Sequence, residues 1–224
     1  MSAEKQSPLT PDTIVDFIVD IFDRRGADSY LGEAVTMSQH MLQSALQAVE
    51  AVAGDELIAA ALRHDIGHYT NEFPEDALEN GIDNRHDDAG AAILAPFFPD
   101  IVTDCVRHHV QAKRYLCATD PAYFATLTRA SVHSMNLQGG PMHGQETEEF
   151  RKIRFLDAAI QVRRWDDGGK IAGRETPPIT HYVPLLQRVV DAHTAKTRGI
   201  HNPADDSDPH DPGATSHQPG SRPA

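Results

Sequence analysis

The helical spacing of apolar residues runs along almost the whole chain and restricts the fold more than any other feature. After Thr10-Pro11-Asp12, which is typical of a helix start, apolar residues between Ile14 and Phe22 fall on one face of a helix. Comparable patterns predict further helices over 36–53, 55–66, 86–96, 99–112, 121–130, 147–166 and 180–193. We find no alternating strand pattern and no internal repeat, so we predict an all-α fold.

The remaining segments divide the chain into one domain and two tails. We interpret 27–34, 70–84 and 131–145 as loops, the last of them rich in Gly and Pro. After Ile200 the only apolar residues are alanines, and prolines are frequent, so this part cannot bury enough surface to offset its chain entropy. We therefore predict an N-terminal tail over 1–9, one domain over 10–197 and a disordered tail over 198–224.

The composition restricts the partners and the compartment. The formal charge of -13 argues against non-specific binding to nucleic acid. No apolar run approaches the ~20 residues of a membrane helix, so we expect no membrane partner. The N-terminus lacks a basic region followed by an apolar stretch, and Cys105 and Cys117 form no CxxC pattern. We expect a cytoplasmic protein without a disulfide framework.

The residues that carry chemistry centre on His64-Asp65, with His68 one helical turn after His64. Imidazole and carboxylate groups together suit iron, manganese or zinc, and a carboxylate can bridge two metals. The same residue types recur in other predicted helices, as His40, His86, His109 and Asp166. Six such residues in the order H, HD, H, H, D predict a metal site.

Two positions in this set offer a choice between neighbours. His108 and His109 are adjacent, and successive helical residues point about 100° apart, so we expect only one ligand. We choose His109, because Lys113 lies four residues later on its face. Asp166 and Asp167 pose the same choice, and we choose Asp166, because Arg163 shares its face. The rejected neighbours remain candidates for support of the ligands.

The order of these residues resembles that of the HD-domain superfamily, over about residues 12–190. This resemblance implies a helical bundle with a dinuclear metal site between the helices. It further implies that Asp65 bridges the two metals. By the same resemblance, one metal is completed by His40, His64 and Asp166, and the other by His86 and His109.

A narrower resemblance concerns the reaction. Four segments are similar to HD-domain oxygenases that cleave organophosphonates: 30–36 (YLGEAVT) with Gln39, His40 and Gln43, then 109–116 (HVQAKRYL), 137–142 (LQGGPM) and 163–167 (RRWDD). The resemblance implies two iron ions per chain, as a mixed-valent Fe(II)/Fe(III) pair, with dioxygen and a small organophosphonate as reactants. We expect oxidation of 1-hydroxy-2-(trimethylammonio)ethylphosphonate, or of its primary-amine analogue, after an upstream phosphonate hydroxylase.

The same resemblance implies a lid formed by Tyr30 and Glu33. Tyr30 would occupy an iron until substrate displaces it, and Glu33 would face the cationic end of the substrate. Glu33 suits either amine, and the aromatic face of Tyr30 favours the trimethylammonium. An ordinary surface turn with one packed tyrosine remains the alternative.

A phosphonate dianion needs cations and hydrogen-bond donors. Helical spacing from the metal ligands favours Lys113, Arg163 and His68 for this role, with Ser131 as a hydroxyl donor; surface charges or caps are the alternative. We interpret Arg114, Arg164 and Lys170 as solvated. Two other functions stay open at this point: an HD-domain phosphohydrolase and a non-enzymatic regulatory module that binds metal.

Overall fold

A computed structural model describes residues 9–30, 32–70 and 85–200. Nearly all of both predicted tails, and most of the segment over 70–84, lie outside the described residues. The helices are α1 (Ile14–Arg25), α2 (Met37–Glu50), α3 (Asp55–Arg63), α4 (Gly67–Thr70), α5 (His86–Leu94), α6 (Asp100–Thr119), α7 (Pro121–Phe124), α8 (Arg129–Leu137), α9 (Gln145–Phe150), α10 (Leu156–Gly168) and α11 (Ile179–Ile200). Within these ranges there is no strand beyond an isolated bridge between Ser29 and Thr36, which confirms the all-α prediction.

Four helices, α2, α3, α6 and α10, pack against one another at the centre of the bundle. α6 and α10 pack against each other, α2 packs against α3 and α10, and α3 also contacts α6. α5 and α11 cover this group, on α6 and on α3 respectively. The shared core contains fully buried side chains from these helices and from α1, such as Ile18 of α1, Met41 of α2 and Leu186 of α11. Burial of these apolar faces is what makes the amphipathic pattern fold as a bundle.

The segment over 131–145 was wrongly predicted as a loop throughout. Its first part belongs to α8, whose start is fixed by Thr128: the threonine Oγ1 accepts a hydrogen bond from the Ser131 amide. Ser131 and Met135 are both buried, one helical turn apart. The Gly- and Pro-rich sequence that follows ends this helix but does not prevent it, because a short helix can be stabilised by its cap and by packing.

Several other predicted helices have different limits in the structure: α6 continues to Thr119 and α11 to Ile200, past the predicted ends at 112 and 193. The one predicted over 121–130 is limited to α7, and the one predicted over 147–166 is divided into α9 and α10 by a turn. The helix predicted over 55–66 ends at Arg63, and Gly67 begins α4 instead of closing α3. A Cβ on Gly67 would lie 1.7 Å from the His86 carbonyl oxygen, so this glycine permits the close approach of α4 to α5.

No helix in the described part of the chain is both long enough and apolar enough to span a bilayer.

Candidate active site

Five helical segments bring the six predicted metal ligands together in the interior. His40 comes from α2, His64 and Asp65 follow directly after α3, His86 begins α5, His109 lies in the middle of α6, and Asp166 is near the end of α10. All six side chains are at most 4% exposed. Charged and polar side chains are rarely buried to this extent unless they have partners. We refer to these six residues as the metal centre.

One half of the metal centre surrounds the Oδ2 atom of Asp65. The Nε2 atoms of His40 and His64 each lie 3.3 Å from this oxygen and 3.0 Å from each other. The carboxylate of Asp166 closes the group, with Oδ1 3.4 Å from His40 Nε2 and Oδ2 3.6 Å from His64 Nε2. Two imidazole nitrogens and two carboxylates therefore face one small volume.

The other half surrounds the second oxygen of the same carboxylate. Asp65 Oδ1 lies 3.3 Å from His86 Nε2 and 3.2 Å from His109 Nε2, and these two nitrogens are 3.1 Å apart. His68 Nε2 is more distant, at 3.9 Å from Asp65 Oδ1, and its ring stacks on that of His86. Asp65 thus presents one oxygen to each group of histidines, which is the arrangement a bridging ligand requires.

The separations between ligand atoms fit first-row metal ions. Ligands bound at about 2.0–2.2 Å and at right angles around a metal lie roughly 3 Å from each other. The two His–His distances of 3.0 and 3.1 Å have this value. The nitrogen and oxygen donor set also suits iron. The residues present therefore fit two metal ions that share Asp65.

Backbone carbonyls fix the orientation of three of the histidine rings. The Nδ1 atoms of His40, His64 and His109 lie 3.0, 2.9 and 2.7 Å from the carbonyl oxygens of Gly169, Ala61 and Val106. Donation from Nδ1–H to a carbonyl leaves Nε2 as the free lone pair, which is how ligand histidines are commonly held. Gly169 is needed here, since a Cβ would lie 2.5 Å from Ser44 Oγ.

The carboxylates of the centre carry orphaned oxygen atoms. Within the described residues, Asp65 Oδ2 and Asp166 Oδ1 are buried and accept no hydrogen bond. Burial opposes ionisation, but the adjacent histidines hold the pKa of Asp65 well below its usual range, and Arg163 with Lys170 does the same for Asp166. Buried, ionised oxygens without a donor are costly unless a cation satisfies them. Both oxygens belong to the half of the metal centre that contains His40 and His64, so this observation supports a metal there.

The neighbours that we rejected as ligands lie outside the metal centre. His108 is partly buried, with its ring edge against Phe150. Asp167 accepts a hydrogen bond from the Tyr123 hydroxyl at 2.5 Å and pairs with the Arg163 guanidinium. Asp167 therefore orients the arginine that also contacts Asp166.

A cavity of about 270 Å³ adjoins the metal centre, and we call it the substrate cavity. Its lining includes Tyr30, Glu33, Lys113, Ser131, Arg163 and Lys170. A narrower space of about 20 Å³ connects it with Asp65, His86, His109 and Asp166, and Tyr30, Lys113 and Arg163 line both volumes. A molecule in the substrate cavity would thus reach the metal centre past three of the side chains that the sequence singled out.

Buried cations concentrate at the inner end of the substrate cavity. Arg163 contacts the Asp166 carboxylate at 2.6 Å, and Lys113 is 3% exposed. Burial, followed by the charges of Arg163 and Lys170, lowers the pKa of Lys113 to about 7. A region in which cations destabilise one another is suited to bind an anion with more than one charge.

Two basic residues that we interpreted as solvated are in fact largely buried and form hydrogen bonds and ion pairs. The Lys170 side chain is only 6% exposed, donates to Ser131 Oγ at 2.9 Å and lies 3.5 Å from Asp166 Oδ1. Helical spacing did not predict this contact, because Lys170 lies beyond the end of α10, although it is four residues after Asp166. Arg114 is buried as well, with the Glu146 carboxylate at 2.5 Å and the Gly140 carbonyl at 2.7 Å. Arg164, in contrast, is exposed as predicted.

Tyr30 and Glu33 come from the loop between α1 and α2. Tyr30 is 8% exposed and stacks on His40, with ring centroids 3.9 Å apart. Burial, and then the charge of Asp65, raises the pKa of its hydroxyl well above the usual value. Lys170 Nζ lies 5.9 Å from the centre of the Tyr30 ring, within the range of a cation–π interaction, so the ring already faces an imidazole and a cation. Glu33 is partly buried and lines the substrate cavity.

Comparison with known proteins agrees with this geometry. The family described as "HD domain" matches residues 37–157. The [1-hydroxy-2-(trimethylamino)ethyl]phosphonate dioxygenase (glycine-betaine-forming) of Leisingera caerulea is 51% identical over 193 residues, which are 86% of this chain and 98% of that protein. The hydroxymethylphosphonate dioxygenase of Gimesia maris is 41% identical over 174 residues, 77% of this chain and 86% of the relative.

Proposed function

This chain belongs to the HD-domain family, and from that premise we propose that it is an iron- and dioxygen-dependent enzyme that cleaves a carbon–phosphorus bond. The proposed substrate is 1-hydroxy-2-(trimethylammonio)ethylphosphonate, and the products are glycine betaine and phosphate. The observation that carries this proposal is the 51% identity, over nearly the full length of the Leisingera caerulea protein, to a dioxygenase named for that reaction.

The proposed reaction balances without a further reductant. The substrate loses its C1–H and C1–P bonds, and C1 rises from the level of an alcohol to that of a carboxylate. One oxygen atom of dioxygen enters the carboxylate and the other enters phosphate. One molecule each of substrate and dioxygen therefore gives glycine betaine, hydrogen phosphate and one proton. Hydrolysis alone does not account for this oxidation of C1, which favours an oxygenase over a phosphohydrolase for this substrate.

We assign two iron ions per chain, as a mixed-valent pair, to the metal centre. His40, His64 and Asp166 would hold one ion, His86 and His109 would hold the other, and Asp65 would bridge them. When bound, iron supplies the redox chemistry with dioxygen that amino acid side chains cannot. The paired donor groups and the unsatisfied oxygens of Asp65 and Asp166 support this assignment.

The residues of the substrate cavity suit the two ends of the substrate. We assign the phosphonate to the inner end, where Lys113 and Arg163 carry positive charge and Ser131 and His68 offer polar hydrogens. Glu33 lies at the lid side and would face the trimethylammonium group. Tyr30, which contacts His40, would close the metal centre in the absence of substrate and withdraw when substrate arrives. We place an upstream phosphonate hydroxylase before this enzyme, since hydroxylation at C1 of the corresponding phosphonate would supply the 1-hydroxyphosphonate.

The deciding experiment measures dioxygen consumption and phosphate release in the same reaction. Protein purified with iron is given the trimethylammonio substrate, and we expect one dioxygen consumed per phosphate released, with glycine betaine as the organic product. Anaerobic incubation should abolish phosphate release. Equal release without oxygen would support the phosphohydrolase instead. A kcat/KM tenfold higher for the primary-amine analogue would change the substrate and leave the reaction class intact.

A further inference from the structure

Thr128 connects the lid loop with helix α8. Its Oγ1 atom donates a hydrogen bond of 2.6 Å to the Glu33 carboxylate, between residues that are 95 positions apart in the chain. Both side chains are partly buried, and Glu33 lines the substrate cavity. Sequence reasoning missed Thr128, because it fell inside the helix predicted over 121–130 and the start of α8 was not predicted there.

The direction of this hydrogen bond is fixed by the cap of α8. Thr128 Oγ1 accepts the backbone N–H of Ser131 at 3.0 Å, in the usual geometry of a helix N-cap. A hydroxyl has one hydrogen to donate, and a carboxylate can only accept. The hydrogen of Thr128 is therefore available for Glu33 while the lone pair serves the helix. One hydroxyl thus supports α8 and orients the carboxylate.

From Thr128, hydrogen bonds continue along α8 to the cationic end of the cavity. Ser131 Oγ accepts from Lys170 Nζ at 2.9 Å. The Ser131 carbonyl accepts from Ser134 Oγ at 3.1 Å, and Ser134 Oγ in turn accepts from Lys113 Nζ at 2.9 Å. The first two turns of α8 therefore separate one carboxylate, at the lid side, from two ammonium groups, at the metal side.

We propose that Thr128 is a positioning residue that fixes Glu33 at a set distance from the phosphonate-binding cations, and thereby selects substrates with a positive charge beyond C1. The inference rests on the proposed function, since it assigns the two ends of the cavity to the two ends of that substrate. A hydroxyphosphonate without a cationic group uses only the inner end. Its turnover should then be insensitive to Thr128.

A double-mutant cycle with Glu33→Gln tests whether Thr128 acts through Glu33. Thr128→Val removes the hydroxyl, and we expect kcat/KM for the trimethylammonio substrate to fall about tenfold, mostly through KM, the loss typical of a hydrogen bond to a charged group. In the Glu33→Gln background the same change should cost less than about twofold. Equal losses in both backgrounds would overturn the inference, because they would indicate a purely structural cap.

Thr128→Asp separates the two roles of the hydroxyl. Aspartate is as good an N-cap as threonine, so α8 and the melting temperature should be retained. It has no hydrogen for Glu33 and adds a like charge, so kcat/KM for the cationic substrate should fall by more than tenfold. Thr128→Ser keeps the hydroxyl, so its kcat/KM for the cationic substrate should equal that of the wild type. Normal turnover by Thr128→Asp would contradict the inference.

Thr126→Val is the matched control, because its hydroxyl donates only to the nearby Tyr123 carbonyl, at 2.7 Å, and it does not line the substrate cavity. We expect it to leave kcat/KM unchanged. Hydroxymethylphosphonate is the substrate control, and Thr128→Val should change its turnover by less than about twofold. The wild-type assay comes first: absence of oxygen-dependent turnover there would refute the proposed function, whereas an additive cycle in an active enzyme would refute only the role of Thr128.

Discussion

The metal centre and the lid side of the substrate cavity are held by different kinds of contact. In the metal centre, rings such as His64 and His109 are anchored to backbone carbonyls of their own helices, which pack in the main core. At the lid side, Glu33 is held by a hydrogen bond from another side chain, Thr128, between the α1–α2 loop and a nine-residue helix. Groups fixed by packed helices keep their geometry, whereas groups fixed by side-chain bonds can be changed one at a time.

This difference matches what distinguishes the two relatives. Both are named as dioxygenases of hydroxyphosphonates, and their named substrates differ in the group attached beyond the hydroxyl-bearing carbon. A reaction that stays the same while the substrate changes is what a fixed metal centre with an adjustable lid side would produce. We therefore expect mutations in the first region to abolish turnover and mutations in the second to alter selectivity.

The largest effect should come from Asp65→Ala. This change removes both oxygens that the histidine pairs face, so we expect both metals to be lost and turnover to fall by at least about a thousandfold. Metal analysis and the oxygen-uptake assay measure these outcomes. Asp100→Ala, which removes an exposed carboxylate paired with Arg154, is the control and should keep the full metal content. A full complement of iron in Asp65→Ala would refute the bridging role.

Lys113→Met should have the second-largest effect on turnover. We expect it to lower activity and to raise the stability of the folded protein. Without the ammonium group we expect kcat/KM to fall about ten- to a hundredfold, as for loss of one hydrogen bond between charged groups. At the same time the free energy of unfolding should rise at neutral pH, because a charge that burial disfavours is replaced by an apolar side chain. Activity assays and denaturant unfolding give the two values.

The gain in stability from Lys113→Met should depend on pH, and its direction follows from the pKa of Lys113. Burial lowers the pKa of Lys113 from 10.5 to about 7 in the folded protein. Between these values the unfolded chain binds a proton that the folded protein does not, so this residue makes stability increase with pH. The gain from Lys113→Met should therefore be largest below pH 7 and vanish towards pH 10 or above. A gain that grows with pH would contradict the assigned pKa.

The metal centre was predictable from sequence because its residues lie on amphipathic helices or directly beside them. Histidine and aspartate on otherwise apolar faces stand out, although His64 and His68, expected on one helix, are separated by the turn between α3 and α4. All six predicted ligands are within one cluster in the structure. The choices of His109 and Asp166 used the positions of Lys113 and Arg163, and both of these cations line the cavity as the choices assumed.

The contacts outside the metal centre were harder to predict from sequence, because the residues that make them are far apart along the chain. α8 is short, and its stability depends on a cap and on two buried residues, which Gly and Pro nearby obscure. Lys170 follows the end of α10, so no helical period predicts that it turns back to Ser131 and Asp166. Arg114 shares this property, since its partner Glu146 is 32 residues away. Side chains that leave regular structure need the tertiary fold to define their partners.

Glu33→Gln should have a smaller effect, confined to selectivity. We expect kcat/KM for the trimethylammonio substrate to fall about tenfold, since one charge in a partly exposed position is lost, while hydroxymethylphosphonate changes by less than about twofold. Competition between the two substrates, with glycine betaine and phosphate both quantified, measures the ratio directly. An unchanged ratio would show that the carboxylate does not contact the cationic end.

Tyr30→Phe should have the smallest effect on the metal centre. Phenylalanine keeps the ring that stacks on His40 at 3.9 Å, so we expect both irons to be retained and stability to change little. Only the hydroxyl is lost, and this is the group that would close the centre before substrate binds. The iron-loaded variant should therefore react with oxygen several-fold faster than wild type in the absence of substrate, as followed by loss of the reduced state. Tyr115→Phe, whose hydroxyl accepts a hydrogen bond from the exposed Arg151 instead, is the matched control and should react at the wild-type rate. If Tyr30→Phe lost its iron as Asp65→Ala does, the tyrosine would belong to the fixed region, and the division between the two regions would have to be redrawn at the α1–α2 loop.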